Sequence, residues 1–427
     1  MENGSIPTGS SHVPSYLQKM SIKENNMINT TTNRELTAIS GSSGYGSAGK
    51  QEFEVEIRTA EILDGFSLQL RGKVKVNHTA YNKDVLFNSS AYSMVEQITA
   101  DINGQSVLLL NQDAEHIAHM NRVNHSSFTQ FENDDVMALA GQDIKTEQSF
   151  VLDLSKYGSA LEYYLLSSPV LTMKLKIRFH KDLAKVFHRG GTVAATGTVN
   201  NYEINNLRLT GDFSDFNNDA KNTLIKRYQS PTGVKMVTHS FVPQRNTLQA
   251  TTNHRIQGSY QYRNLVLTRY LPVPTSILAA DKEGGISKTD IVSNINFTGD
   301  ALPLNMRVRM DGMNYVNENG TSGCSNKMEH LAGMLKSCLR TPGENNVGYK
   351  LCQGYKSGLY QPTGVSFVRG NDNFKDITNS GVNGFFSRGA LETEFDTTVD
   401  QVNKTLLTVG VVTTTVSIEN GQVSVVR

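Results

Sequence analysis

The segment Gly44-Tyr-Gly-Ser-Ala-Gly49-Lys50 has the glycine density and closing lysine of a loop that cradles phosphate in backbone N–H groups. Two features argue against that chemistry. Gln51 stands where a Ser or Thr hydroxyl would hold magnesium, and the pattern that follows has the period of a strand. The helix N-terminus that attracts phosphate is therefore missing. Glu115, His116 and His119 fall at helical spacing, with Asp113 just before them. Two imidazoles three residues apart can share a metal ion if both face one cavity, and Asp113 could add a carboxylate. A His and Glu cluster on the wet face of a short helix is the commoner arrangement, so no metal ligand is assigned, and His330 beside Glu329 is read the same way. Cys324, Cys338 and Cys352 are fourteen residues apart, too far for the short knuckles of structural zinc sites. They are read as packing residues, because a thiol nucleophile needs a positioned base and His330 is the only histidine nearby in sequence. The chain has no Gly-x-Ser-x-Gly elbow, no His-Glu-x-x-His and no acidic calcium loop. No catalytic, cofactor-binding or metal residue is expected, and the chain is not read as an enzyme.

Hydrophobic periodicity gives the elements that must position these residues. Phe53, Val55 and Ile57 alternate with Glu52, Glu54, Glu56 and Arg58, which describes a half-buried strand. After a turn at Asp64-Gly65, Phe66, Leu68, Leu70, Val74 and Val76 alternate with Gln69, Arg71, Lys73 and Lys75. Gly72 interrupts that apolar face, as a bulge or a close backbone crossing would. The signature returns at Met173, Leu175, Ile177 and Phe179, and again at Leu304, Met306, Val308 and Met310. A helical period would scatter the intervening Lys and Arg into the core, whereas period two sends every charge to solvent, so antiparallel sheets with one wet face follow. Asn103-Gly104 and Asn420-Gly421 supply the positive φ angles of two-residue hairpins, the second closing the chain with strands near 411–419 and 422–427. Helical spacing predicts one short helix around 113–124, with Ile117 and Met120 inward, and another around 326–340.

A length of 427 residues exceeds one ordinary domain and suits two large cores. Hydrophobic residues at 38% can fill those cores, and abundant Asn, Ser, Thr and Gly favour turns and hence β-structure. The formal charge of +1 leaves no excess of Lys and Arg to coat phosphates, so protein partners are expected and sequence-specific nucleic-acid binding is not. Three clustered cysteines are not a disulfide framework, which points to a reducing compartment. With no run of eighteen apolar residues and no basic-then-apolar leader, neither membrane spanning nor secretion is expected. Sequons such as Asn77-His-Thr79 are what an Asn- and Thr-rich composition produces by chance.

Composition also divides the chain. Residues 1–50 are rich in Ser, Asn, Thr and Gly, cannot build a core unaided, and are read as a flexible arm that orders against neighbouring subunits. Residues 51–188 form a first body, the Gly- and Thr-rich stretch 189–200 a linker, and residues 201–427 a second body. Ile98-Thr-Ala-Asp-Ile-Asn-Gly104 and Met306-Arg-Val-Arg-Met-Asp-Gly312 share their apolar positions and an Asx-Gly ending at an offset of 208 residues, a suggestion of duplication. The fold class expected is all-β: two tandem β-sandwiches with short loop helices and an N-terminal arm.

Phe66-Ser-Leu-Gln-Leu-Arg-Gly-Lys-Val-Lys-Val76 with Ser93-Met-Val-Glu-Gln-Ile-Thr-Ala-Asp-Ile-Asn-Gly104 resembles the first roll of the double jelly-roll major capsid proteins of tailless icosahedral viruses, the adenovirus, tectivirus, corticovirus and polinton-like lineage. Tyr202-Glu-Ile-Asn-Asn-Leu-Arg-Leu209 similarly looks like the opening strand of that family's second roll. The resemblance implies that the two tandem sandwiches are jelly-roll β-sandwiches, and that the two-roll subunits form a homotrimer, pseudo-hexameric in outline, that tiles an icosahedral shell. It further implies minor capsid or penton proteins as partners, contact of the arm with an internal membrane, and a place in the virion after synthesis in the host cytoplasm. A β-rich phage fibre, baseplate or receptor-binding protein is the alternative, although fibres carry shorter repeats. A glycan-binding or glycan-cleaving sandwich is disfavoured by the absence of Trp.

Overall fold

The computed structural model describes residues 28–36, 38–57, 61–78, 85–87, 90–111, 113–125, 136–139, 146–157, 164–166, 171–189, 199–247, 253–258, 261–270, 304–310, 313–317, 363–366, 382–383, 391–396 and 405–426. The first set of long strands is β1 (Ile28–Leu36), β2 (Glu52–Ile57), β3 (Ile62–His78), β4 (Val95–Ile102), β5 (Gln105–Leu110), β6 (Gln148–Asp153), β7 (Met173–Phe179) and β8 (Val199–Phe216). They form two antiparallel sheets, ordered β1-β8-β3-β6 and β2-β7-β4-β5. The second set is β9 (Val234–Thr247), β10 (Asn253–Gly258), β11 (Gln261–Tyr270), β12 (Leu304–Met310), β13 (Met313–Asn317), β14 (Thr363–Ser366), β15 (Leu391–Asp396) and β16 (Thr405–Glu419). Their sheets are ordered β9-β16-β11-β14 and β10-β15-β12-β13, and a last strand, β17 (Gln422–Val426), pairs with β16.

Adding eight to each label of the first set reproduces the second, strand for strand and neighbour for neighbour. The two halves therefore carry the same four-on-four jelly roll twice in tandem. The echo between 98–104 and 306–312 falls on β4 and β12, which hold corresponding positions in the two sheets. Both expected hairpins form, with Asn103 and Gly104 at φ 49° and 79°, and Asn420 and Gly421 at 52° and 74°.

Two expectations are corrected. Residues 28–36, assigned to a flexible arm, form β1 and pair with β8 along almost their whole length. The stretch 202–209, expected to open the second sandwich, lies in β8 and closes the first. Alternation says which way a side chain points but not which sheet a strand joins. In β1 it says even less, because Thr31, Thr32, Asn33, Arg34 and Glu35 are all exposed, and backbone and polar side-chain hydrogen bonds carry the pairing. The chain consequently passes from one strand set to the next through α2 (Asn218–Tyr228), a helix not foreseen, rather than through 189–200.

The first core lies between its two sheets. Phe53, Val55, Ile57, Leu175, Ile177 and Phe179 from one sheet meet Leu68, Leu70, Val74, Phe150, Ile204 and Leu209 from the other, all buried. Each large side chain so placed contributes about 1.5–3 kcal/mol relative to exposure. Outside, Lys174 stands 3.8 Å from Glu56 and Lys176 3.7 Å from Glu54, a solvated charge ladder over the β2–β7 pair. Gly72 leaves room for the Phe150 ring, since a Cβ there would come within 2.9 Å of it, and the bulge lies opposite, on β8 at Asn206, where φ is 51°. The described second core includes Val234, Phe241, Val409, Val416, Ile418 and Val423. The helix expected at 326–340 and the three cysteines lie outside the described residues. Among the described residues no helix is long and apolar enough to cross a membrane.

Candidate functional site

The chemistry-bearing residues nearest one another sit at the start of α1 (Ala114–His125), in the connection between β5 and β6. Asp113 precedes the helix in the left-handed region, φ 62°, and its carbonyl accepts hydrogen bonds from the backbone N–H of His116 and of Ile117, both at 3.0 Å. Ala114, Ile117 and Ala118 face the core. Asn121 Nδ2 donates to the carbonyl of Lys156 at 2.7 Å, tying α1 to the turn at Leu154–Tyr157. That packing turns the first turn of the helix inward, so Glu115 is only 7% exposed.

His116 Nδ1 stands 3.1 Å from Glu115 Oε1 and 3.4 Å from Asp113 Oδ1. The other Glu115 oxygen, Oε2, lies 3.3 Å from Nε2 of His180, which is 3% exposed. His180 follows β7 directly. Its backbone N–H donates to the Met94 carbonyl at 2.9 Å, and its carbonyl accepts the Tyr202 hydroxyl at 2.6 Å. Burial would raise the Glu115 carboxyl, but the imidazoles of His116 and His180 outweigh it and hold the group well below the usual carboxylate range. Burial would likewise lower His116, yet Glu115 and Asp113 raise it to about 9. The result is a compact acid–imidazole cluster that joins a loop helix to the end of a core strand.

Of the residues singled out by spacing, Asp113, Glu115 and His116 come together; His119 lies on α1, its side chain outside the described residues. His180 was missed. It is remote from α1 in sequence, and no linear motif joins a helix start to a strand end.

The glycine-rich segment has a different role. Tyr45 is fully buried, its ring edge-on to Phe53 and Phe179 at 5.9 and 6.0 Å, while Tyr45-Gly46 pairs with Glu203 and Ile204 of β8. Lys50 N–H donates to Gly44 O at 2.8 Å, and its ammonium donates to the carbonyls of Ser40 and Ser43. The loop thus closes on its own lysine and plugs one end of the first core, and β2 follows it. On the wet face of the first sheet a groove is lined by Arg71, Lys73 and Arg208, but these cations face Gln69 at 2.7 Å, Glu147 at 3.4 Å and Glu35 at 3.1 Å respectively.

No protein-family model and no curated protein matches the sequence. Solved structures do match. The chain superposes on the capsid of PBCV-1 virus with a TM-score of 0.60 and 10% identity, covering 95% of this chain and 98% of that one. It superposes on a chain of the Sputnik virophage with a TM-score of 0.58 and 12% identity over 94% and 89% of the two chains. For the Faustovirus major capsid protein the values are 0.54 and 8%, over 92% and 91%. This chain shares the double jelly-roll fold of those viral coat proteins.

Proposed function

We propose that this chain is a viral major capsid protein that assembles as pseudo-hexameric homotrimers into an icosahedral shell. One observation carries the proposal: the same eight-stranded jelly roll occurs twice in tandem, and that duplicated architecture is shared with the PBCV-1 capsid over nearly the full length of both chains. Two similar bodies per subunit turn a threefold trimer into a six-cornered block, and six-cornered blocks tile a shell. The division supported by strand pairing is an N-terminal segment of 1–27, a first jelly roll through Phe216, α2 as connector, and a second jelly roll from Val234. The chain works by assembly rather than by catalysis. Its partners are further copies of itself, minor capsid or penton proteins, and an internal membrane contacted through residues 1–27. A formal charge of +1 agrees with a coat that does not read nucleic acid. Its place is the virion, after synthesis in the host cytoplasm.

Size-exclusion chromatography with light scattering tests this. A stable particle of three times the 47.0 kDa chain mass is expected, with six-cornered rings in negative stain. A monomer or dimer at micromolar concentration, or elongated rods, would overturn the shell assignment, and rods would favour a fibre.

A further inference from the structure

We propose that Asp113, Glu115 and His116 form a binding site for one transition-metal dication of the Zn2+ class, with His180 orienting the Glu115 carboxylate. The inference rests on the geometry of the first jelly roll alone and stands apart from the capsid assignment. One ligand atom from each of Asp113, Glu115 and His116 lies within 4.8 Å of the other two. The separations of His116 Nδ1 from Glu115 Oε1 and Asp113 Oδ1, 3.1 and 3.4 Å, are what neighbouring corners of a tetrahedron present when bonds to the metal are about 2.0–2.1 Å long. Three protein ligands leave a fourth position for water, and His116, 17% exposed, lies on the solvent side.

A second observation points the same way. Glu115 is more than nine-tenths buried, and neither of its oxygens accepts a hydrogen bond of ordinary geometry. Both instead stand at ion-pair distance from imidazole nitrogens. A buried carboxylate normally gathers several hydrogen bonds to offset its desolvation. Here a dication between Oε1, Oδ1 and Nδ1 would neutralise both carboxylates at once and allow His116 to be neutral. His180 at Oε2 occupies the place from which a neighbouring group orients a ligating carboxylate. The imidazole in the set selects against Mg2+ and Ca2+, which prefer oxygen alone.

The test uses the untagged full-length protein, stripped with chelator, equilibrated with Zn2+ and passed through gel filtration for elemental analysis. Retention of about one Zn2+ per chain is expected, and Co2+ in its place should give the visible absorption of a four- or five-coordinate centre. Glu115→Gln and Asp113→Asn should each weaken retention about 10-fold or more, with circular dichroism confirming the fold. Should either variant fail to fold, the wild-type stoichiometry and Co2+ spectrum decide. Absence of stoichiometric metal in the wild type, retention unchanged in both folded variants, an octahedral Co2+ spectrum, or preferential uptake of Ca2+ would each overturn the proposal.

Discussion

Gly46 sits where any side chain would collide with backbone. Its φ is 125°, and a Cβ built there would lie 2.3 Å from the Tyr202 carbonyl oxygen. Gly104, at φ 79°, has open space around the same position. Gly46→Ala should therefore cost about 3 kcal/mol or more, whereas Gly104→Ala should cost only the left-handed strain, about 1–2 kcal/mol; urea denaturation of the two variants measures the difference. The sequence marks Gly104 as the second residue of an Asn-Gly turn, but nothing in it marks Gly46, because only the folded chain brings Tyr202 against that position. The acid–histidine cluster was half legible for the same reason. Helical spacing joined Glu115 to His116, but burial and His180 depend on how the helix packs against a strand end.

At the level of elements, strands with one greasy and one charged face announced themselves. The β2, β4 and β7 ladder follows directly from Phe53, Ile98 and Leu175 and their neighbours, and the Asn-Gly hairpins fixed two registers. β1 stayed hidden because Thr31 to Glu35 are wet on both faces, and β14 because four residues leave no period to read. The consequence is testable by truncation. Removing residues 1–27 should leave the melting temperature nearly unchanged. Removing residues 1–49 deletes β1 and Tyr45, whose ring fills one end of the first core, and loss of such a ring alone costs about 3–5 kcal/mol. Differential scanning calorimetry should find the longer deletion strongly destabilised; equal stability of both would mean that β1 and the tyrosine plug contribute nothing.

For the molecule as a whole, duplication is the dominant fact. One short echo between β4 and β12 hinted at it, while the remaining pairs of corresponding strands have diverged beyond recognition because a sandwich constrains the placing of apolar residues more than their identity. In the shell proposed here, the segment before β1 contacts other subunits or a membrane. Protein lacking residues 1–27 is accordingly expected to form trimers by light scattering yet yield far fewer closed particles by electron microscopy; wild-type particle numbers would remove that segment from assembly. The pairing of β1 with β8 has a further consequence for synthesis. Glu35 and Arg208, joined across those strands, are 173 residues apart, so during translation the first edge strand waits for a partner not yet made. A nascent chain released before Val199 leaves the flank of β3 unpaired, an open hydrogen-bonding edge. Prematurely terminated products would thus stick to one another or be degraded, and only chains translated past that point could supply a sealed building block.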